Sequence, residues 1–112
     1  MVADQLADEE WDRLFHALSD TTRRDIVLQV MRQGQSISTL ARRYDMSFAA
    51  VQKHVAVLER AGLVHKERRG REQHVHGAPV VLHKAARLLD SYELIWRHRA
   101  QAIDALLAEE ET

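Results

Sequence analysis

The sequence predicts a mainly α-helical domain with one small β-hairpin, ending in a long helix. Three observations predict this. Residues 47–62 read as one helix marked at both ends, with a shorter helical stretch stopping three residues before it. Two short alternating runs around an X-Gly pair follow at once, which is a hairpin pattern. From Pro79 the chain then runs to about Glu110 without a glycine or proline.

In chain order, residues 1–7 carry no strong pattern and are expected to be a flexible N-terminus. A first helix is expected over residues 8–18. Asp8, Glu9, Glu10 and Asp12 suit a helix start through the dipole, and Trp11, Leu14, Phe15 and Leu18 form its apolar face. Ser19-Asp20 breaks it, and Asp20 caps a second helix running to about Gln33, with Ile26, Val27, Val30 and Met31 inward. Arg23 and Arg24 read as salt-bridge partners of Asp20 or Asp25 before they read as phosphate contacts. Gly34 ends this helix, and residues 35–37 are expected to pair as a short strand with the hairpin.

The helix-turn-helix is expected over residues 38–61. Ile37, Leu40, Ala41 and Tyr44 share one helical face, with Ser38 as the cap. Asp45-Met46-Ser47 has the connection length of that motif, and Asp tolerates the left-handed backbone such a turn needs. In the second helix Ser47 is the N-cap, Val51, Val55 and Leu58 form the buried stripe, and Gly62 closes the end. The other side carries Phe48, Ala49, Gln52, Lys53 and Arg60. Small side chains let a helix sink into a groove, and an amide can pair with a base edge bidentately. The plainer reading is an ordinary amphipathic helix.

Residues 63–76 form the hairpin, turning at Arg69-Gly70 and carrying Arg68, Arg69 and Arg71 at its tip. Helix, turn, helix and basic hairpin together are the layout of a winged helix-turn-helix. Pro79 suits the first position of the last helix, residues 79–110. Leu82, Ala85/Ala86, Leu89, Tyr92, Trp96, Ile103 and Leu106/Leu107 recur there at near-heptad spacing, interrupted by Arg99. Roughly 30 helical residues span about 45 Å, longer than a domain of this size covers with its own core.

Composition narrows the function. The 112 residues make one domain, 46% hydrophobic and 29% charged, hence globular. No apolar run reaches membrane-spanning length, no secretory signal pattern is visible, and there is no cysteine. A cytoplasmic protein with no membrane partner is expected. Net charge is −1, but it is segregated. Residues 42–71 hold eight basic and three acidic residues, a net of +5, against −6 elsewhere. The positive part is the helix-turn-helix and wing.

Ala17-Leu18-Ser19-Asp20-Thr21-Thr22-Arg23-Arg24, the block Ser47 to Leu58, the step Ala61-Gly62-Leu63-Val64 and the tip Gly70-Arg71-Glu72 resemble the ArsR-type bacterial transcriptional regulators. Each motif alone is weak; the four in this order, over roughly residues 11 to 108, are specific. Thr21 stands where the family usually has proline, and Gln52-Lys53-His54 where it usually shows Ser-x-His. The resemblance implies that the helix from Ser47 is the recognition helix. It also implies dimerisation through the first and last helices, with Trp11, Phe15, Leu89, Tyr92, Trp96 and Ile103 at the interface.

The family's cysteine-containing metal motif would fall at residues 36–41, which offer only hydroxyls. Its Asp/His/His/Glu site on the last helix is also unrecognisable, with His83 and His98 fifteen apart. A hairpin turning at Arg69-Gly70 sets His65 opposite His74, with His76 on the same face. Three imidazoles can bind zinc or nickel, though exposed strand histidines are usually plain polar surface. No nucleophile elbow, phosphate-binding glycine loop or H-E-x-x-H is present, which argues against an enzyme.

The expectation is therefore a sequence-specific transcriptional regulator, a repressor without cofactor or metal, binding a two-fold operator in double-stranded DNA as a homodimer. Ser47, Phe48, Ala49, Gln52, Lys53, His54, Arg68, Arg69 and Arg71 are the expected DNA-binding residues. His54 adjoins the buried stripe and reads equally as a packed histidine. No motif identifies a small-molecule inducer. The alternatives are a winged-helix protein-interaction module, disfavoured by the +5 segment, and a metal-responsive regulator using the wing histidines.

Overall fold

The computed structural model describes residues 6–111, so most of the N-terminal stretch expected to be flexible lies outside the described residues. The order is α1 (Asp8–Leu18), α2 (Thr21–Arg32), β1 (Gln35–Ser36), α3 (Ile37–Tyr44), α4 (Phe48–Arg60), β2 (Val64–Arg69), β3 (Glu72–Gly77) and α5 (Pro79–Glu110). The described residues up to Leu82 form one compact unit, and those from His83 a second.

In the first unit each helix begins on a side chain or acid suited to it. Glu10 accepts the backbone N–H of Ala7 (3.1 Å) ahead of α1. Asp20 accepts that of Arg23 (3.0 Å) ahead of α2, and Ser47 that of Ala50 (3.1 Å) ahead of α4. For α3 the cap is Ser36, not Ser38: Ser36 Oγ accepts from Thr39 N (3.1 Å) and Ser38 lies inside the helix. Pairing of β1 with β3 holds Ser36 in extended backbone, the conformation an N-cap requires.

α3 and α4 close in the same way. Asp45 (φ 52) and Gly62 (φ 79) take the left-handed conformation. Met46 N–H then returns to Ala41 O (3.0 Å), and Leu63 N–H to Leu58 O (3.0 Å), the longer bond of a Schellman closure. At Gly62 a Cβ would also meet Val81 at 2.9 Å. The closure of α3 turns the chain so that α4 follows after three intervening residues, Asp45, Met46 and Ser47.

The apolar core is contributed by every element of this unit up to β3 except the two-residue β1. Leu14 and Ala17 come from α1, Ile26, Val27 and Val30 from α2, Ile37 and Leu40 from α3, Val51, Val55 and Leu58 from α4, and Leu63, Val64 and Val75 from the hairpin. The sheet is antiparallel in the order β1-β3-β2. Its register corrects the sequence expectation. The loop is Gly70–Arg71, with Gly70 at φ 61, so His65 faces His76 and His74 faces Glu67. Glycine supplies the positive φ at the first loop position of a two-residue turn.

The second unit is the helical stretch from His83. Of α5, only Ala85 is buried; Leu89, Tyr92, Leu94, Ile95, Trp96, Ile103, Leu106 and Leu107 are exposed. Among the described residues no helix is long and apolar enough to cross a membrane.

Candidate nucleic-acid interface

α4 divides cleanly into two faces. Val51, Val55 and Leu58 are fully buried, while Phe48, Ala49, Gln52, Lys53 and Arg60 are exposed. Past Phe48 the exposed face carries the small Ala49 and then the polar Gln52 and Lys53, side chains that fit a groove and can reach base edges. Ser47 uses one lone pair on the Ala50 amide and keeps its hydroxyl hydrogen for an outside acceptor.

The hairpin approaches this face and leaves a cleft. Phe48 and Gln52 of α4, Arg68, Arg71, Glu72 and Gln73 of the wing, and Ser36, Ile37 and Ser38 at the start of α3 line it. The first turn of α3 thus opens on the cleft, and its free N–H groups add positive potential there. Arg68 and Arg71 have no acidic partner among the described residues, nor has Lys53 on α4. Glu72 is the one acid of the lining, with its Oε2 3.4 Å from His74 Nε2.

Other basic residues of the +5 segment are engaged within the chain. Arg69 Nε donates to Glu67 Oε1 at 3.1 Å, and this bond holds the Glu67 carboxyl below its usual range. Arg43 Nε donates to Asp25 Oδ2 at 3.0 Å, where the Tyr44 hydroxyl also donates at 2.6 Å. Those bonds, the Tyr44 bond foremost, lower the Asp25 pKa; burial and Asp25 push Tyr44 up to about 12. Lys66 Nζ lies 3.4 Å from Glu59 Oε1. Two of the three wing arginines therefore line the cleft, and the third is turned to its own strand.

Four further residues found places the sequence did not indicate. Among the described residues, the side chains of Arg23 and Arg24 form no ion pair with Asp20 or Asp25. They donate to the last carbonyls of α1: Arg23 to Ala17 O (2.8 Å) and His16 O (3.1 Å), Arg24 to Leu18 O (2.8 Å). A basic side chain at a helix C-terminus satisfies carbonyls that have no intrahelical partner. Ser38 and Gln73 line the cleft; Gln73 could have been anticipated from strand alternation, two residues before the buried Val75. His54 is half-buried, its Nδ1 3.3 Å from Arg23 Nη1 and 4.0 Å from Asp20 Oδ2.

The wing histidines occupy one face. His65 stacks on His76 with centroids 5.2 Å apart, and His74 lies 6.5 Å from His76. A Cβ on Gly34 would collide with the His76 ring, so that ring packs tightly over β1's approach. Among the described residues no group of three or more His, Cys, Asp or Glu is arranged to hold a metal ion.

A capped helix-turn-helix followed by a basic, cleft-forming hairpin is the architecture of a winged helix-turn-helix DNA-binding protein. Residues 18–67 match the family model described as a helix-turn-helix domain. An ArsR-like transcriptional regulator from Rhodococcus sp. RHA1 is 36% identical, superposes with a TM-score of 0.78, and is matched over 90% of this chain and 93% of that one. The arsenical resistance operon repressor of Escherichia coli is 28% identical over 96 residues, 85% of this chain and 80% of that protein. A homodimeric winged helix-turn-helix domain from Mycobacterium bovis, 20% identical with a TM-score of 0.63, covers 83% of this chain and 92% of its own and shares the fold. The chain belongs to the ArsR family of transcriptional regulators, which are DNA-binding proteins and not enzymes.

Proposed function

We propose that this chain is a repressor that binds a two-fold operator in double-stranded DNA as a homodimer. α4 enters the major groove, with Gln52 and Lys53 on base edges and Ser47, Phe48 and Ala49 at the point of entry. Arg68 and Arg71 hold the adjoining phosphates. The observation that carries this reading is the cleft itself: the exposed start of α4 and two arginines without acidic partners converge on one concavity. Phosphate contacts orient a protein on the duplex and base contacts select the sequence, and both kinds of group are adjacent here.

The homodimer reading is supported by the exposed apolar stripe Leu89, Tyr92, Trp96 and Ile103 of α5, and by Phe15, exposed and stacked on Trp11 with centroids 6.0 Å apart in α1. A second copy of this chain gives those surfaces a partner, and two-fold symmetry doubles the bases read. That the Mycobacterium bovis relative is homodimeric agrees with it. Cytoplasmic location follows from the DNA partner.

Selection from a random DNA pool is the test. The expected product is an inverted repeat with half-sites about one helical turn apart. Its binding should weaken steeply with salt. Recovery of unrelated sequences, or of a single unrepeated half-site, would count against the reading.

A further inference from the structure

Arg23 stands where three helices meet. Its backbone amide donates to Asp20 Oδ2 in the N-cap of α2. Its guanidinium uses all three nitrogens: Nε on Ala17 O and Nη2 on His16 O, both in the last turn of α1, and Nη1 toward His54 Nδ1 of α4 at 3.3 Å. A guanidinium has no acceptor, so this bond forms with the His54 tautomer whose Nδ1 accepts and whose ring proton is on Nε2. The other charged group facing that nitrogen is Asp20, at 4.0 Å. His54 is one residue past Lys53 and two past Gln52.

These bonds do what apolar packing does not. Burial of Leu14, Ala17, Val51 and Val55 holds the helices of this core together, but the hydrophobic effect has no direction. Hydrogen bonds fall off steeply with angle, so a fork shared between α1 and α4 sets the rotation of one helix against the other. The pivot lies within α4: Phe48 is six residues before His54, about 9 Å along the helix. A tilt of about 5° about that bond moves the reading end of α4 by about 0.8 Å, and two copies together by about 1.6 Å, close to half the rise of a base pair and enough to weaken aligned base contacts.

We propose that Arg23 and His54 are positioning residues. They set the angle of α4 against α1, and through it the spacing at which two copies of this chain read their half-sites. This rests on the homodimer reading above. It also gives His54 a role other than base contact: its Nδ1 is spent on Arg23.

The experiment measures affinity for duplexes carrying the selected half-sites at spacings changed one base pair at a time. Wild type is compared with Arg23→Gln, His54→Asn and His54→Gln, each checked for melting and for dimer mass. Asn places its amide oxygen near the position of Nδ1 and can still accept from Arg23; Gln reaches toward Nε2 instead. For wild type a one-base-pair change should cost about tenfold, the scale of one lost base contact. Arg23→Gln and His54→Gln should flatten that profile to about threefold or less, and His54→Asn should keep it sharp. A sharp profile retained by dimeric Arg23→Gln, or equal loss at every spacing, overturns the proposal alone. So does identical behaviour of the two His54 variants, which decides the matter if Arg23→Gln does not fold. A wild type without any spacing preference overturns the homodimer reading, and the proposal with it.

Discussion

α4 and α5 carry the same kind of apolar pattern and meet opposite fates. In α4 the stripe Val51, Val55, Leu58 is fully buried by the chain's own helices and hairpin. In α5 the stripe Leu89, Tyr92, Trp96, Ile103 stays in solvent, with Tyr92 59% and Trp96 65% exposed. Periodicity reports that a helix has a face to cover, and it is silent about who covers it. The charges repeat the lesson. Arg43 and Arg69 are held by acids of this chain, whereas Lys53, Arg68 and Arg71 have no acidic partner among the described residues. On the proposed function, what the chain leaves uncovered, apolar or charged, is what it would offer to a second copy and to DNA.

The largest expected effect breaks the apolar half of this contrast. If a second copy buries the α5 stripe, Trp96→Ala should cost about 3–5 kcal/mol, the range for a buried aromatic. The loss should appear as dissociation in a light-scattering dilution series, with base preference unchanged. A Trp96→Ala protein that stays dimeric at wild-type stability would show Trp96 to be plain surface. The contact would then rest elsewhere, as on Trp11 and Phe15.

The matching change in α4 should behave differently. Leu58→Ala removes a fully buried side chain and should cost about 2–5 kcal/mol of stability. Measured by denaturant melts, that cost should be the same whether or not the protein has been diluted below its dimer dissociation range, because the cavity lies inside one copy. A cost that changes with dimer population would mean that this core is completed only on pairing.

Much of the fold was legible because its signals are local. The caps Asp20 and Ser47, the left-handed Asp45 and Gly62, and the buried stripes each follow from residues within a turn or two. The failures came where a distant partner decides. Ser36 rather than Ser38 caps α3 because β1 pairs with β3, thirty-eight or more residues on. The hairpin register, by contrast, moved by one loop position, to Gly70–Arg71, which lets glycine alone take the positive φ where an Arg69-Gly70 loop would ask it of an arginine too. Arg23 and Arg24 have acids close in sequence and still donate to carbonyls at the end of α1, where Ala17 O and Leu18 O accept from no backbone N–H among the described residues. For the candidate interface, the α4 residues and the wing arginines were readable as types; that Arg68 and Arg71 face the cleft while Arg69 does not depends on folding.

Gln52 tests the reading surface. Gln52→Ala should cost about 1–3 kcal/mol on the selected operator and relax preference at one base pair per half-site. Affinity for unrelated DNA should barely change. If specific and non-specific affinities fell together in a gel-shift titration, Gln52 would be a phosphate or structural residue.

The wing gives the finest cut, because its three arginines differ in what already holds them. Neutralising a phosphate releases counterions, so the slope of log affinity against log salt drops by about 0.9 for each contact removed. Arg68→Ala combined with Arg71→Ala should flatten the slope by about two units per copy if both contact phosphate. Arg69 is bonded to Glu67, and the pair lies on the strand rather than in the cleft. Arg69→Ala should therefore leave the slope nearly unchanged. Its effect should fall on Glu67 instead, whose carboxyl loses the hydrogen bond that lowers its pKa. Glu67 in that variant should titrate at higher pH, visible by NMR. An Arg69 variant that lost as much slope as Arg68 or Arg71 would show that DNA takes Arg69 from Glu67 on binding. Pairing within the free chain would then be a poor guide to which charges it presents.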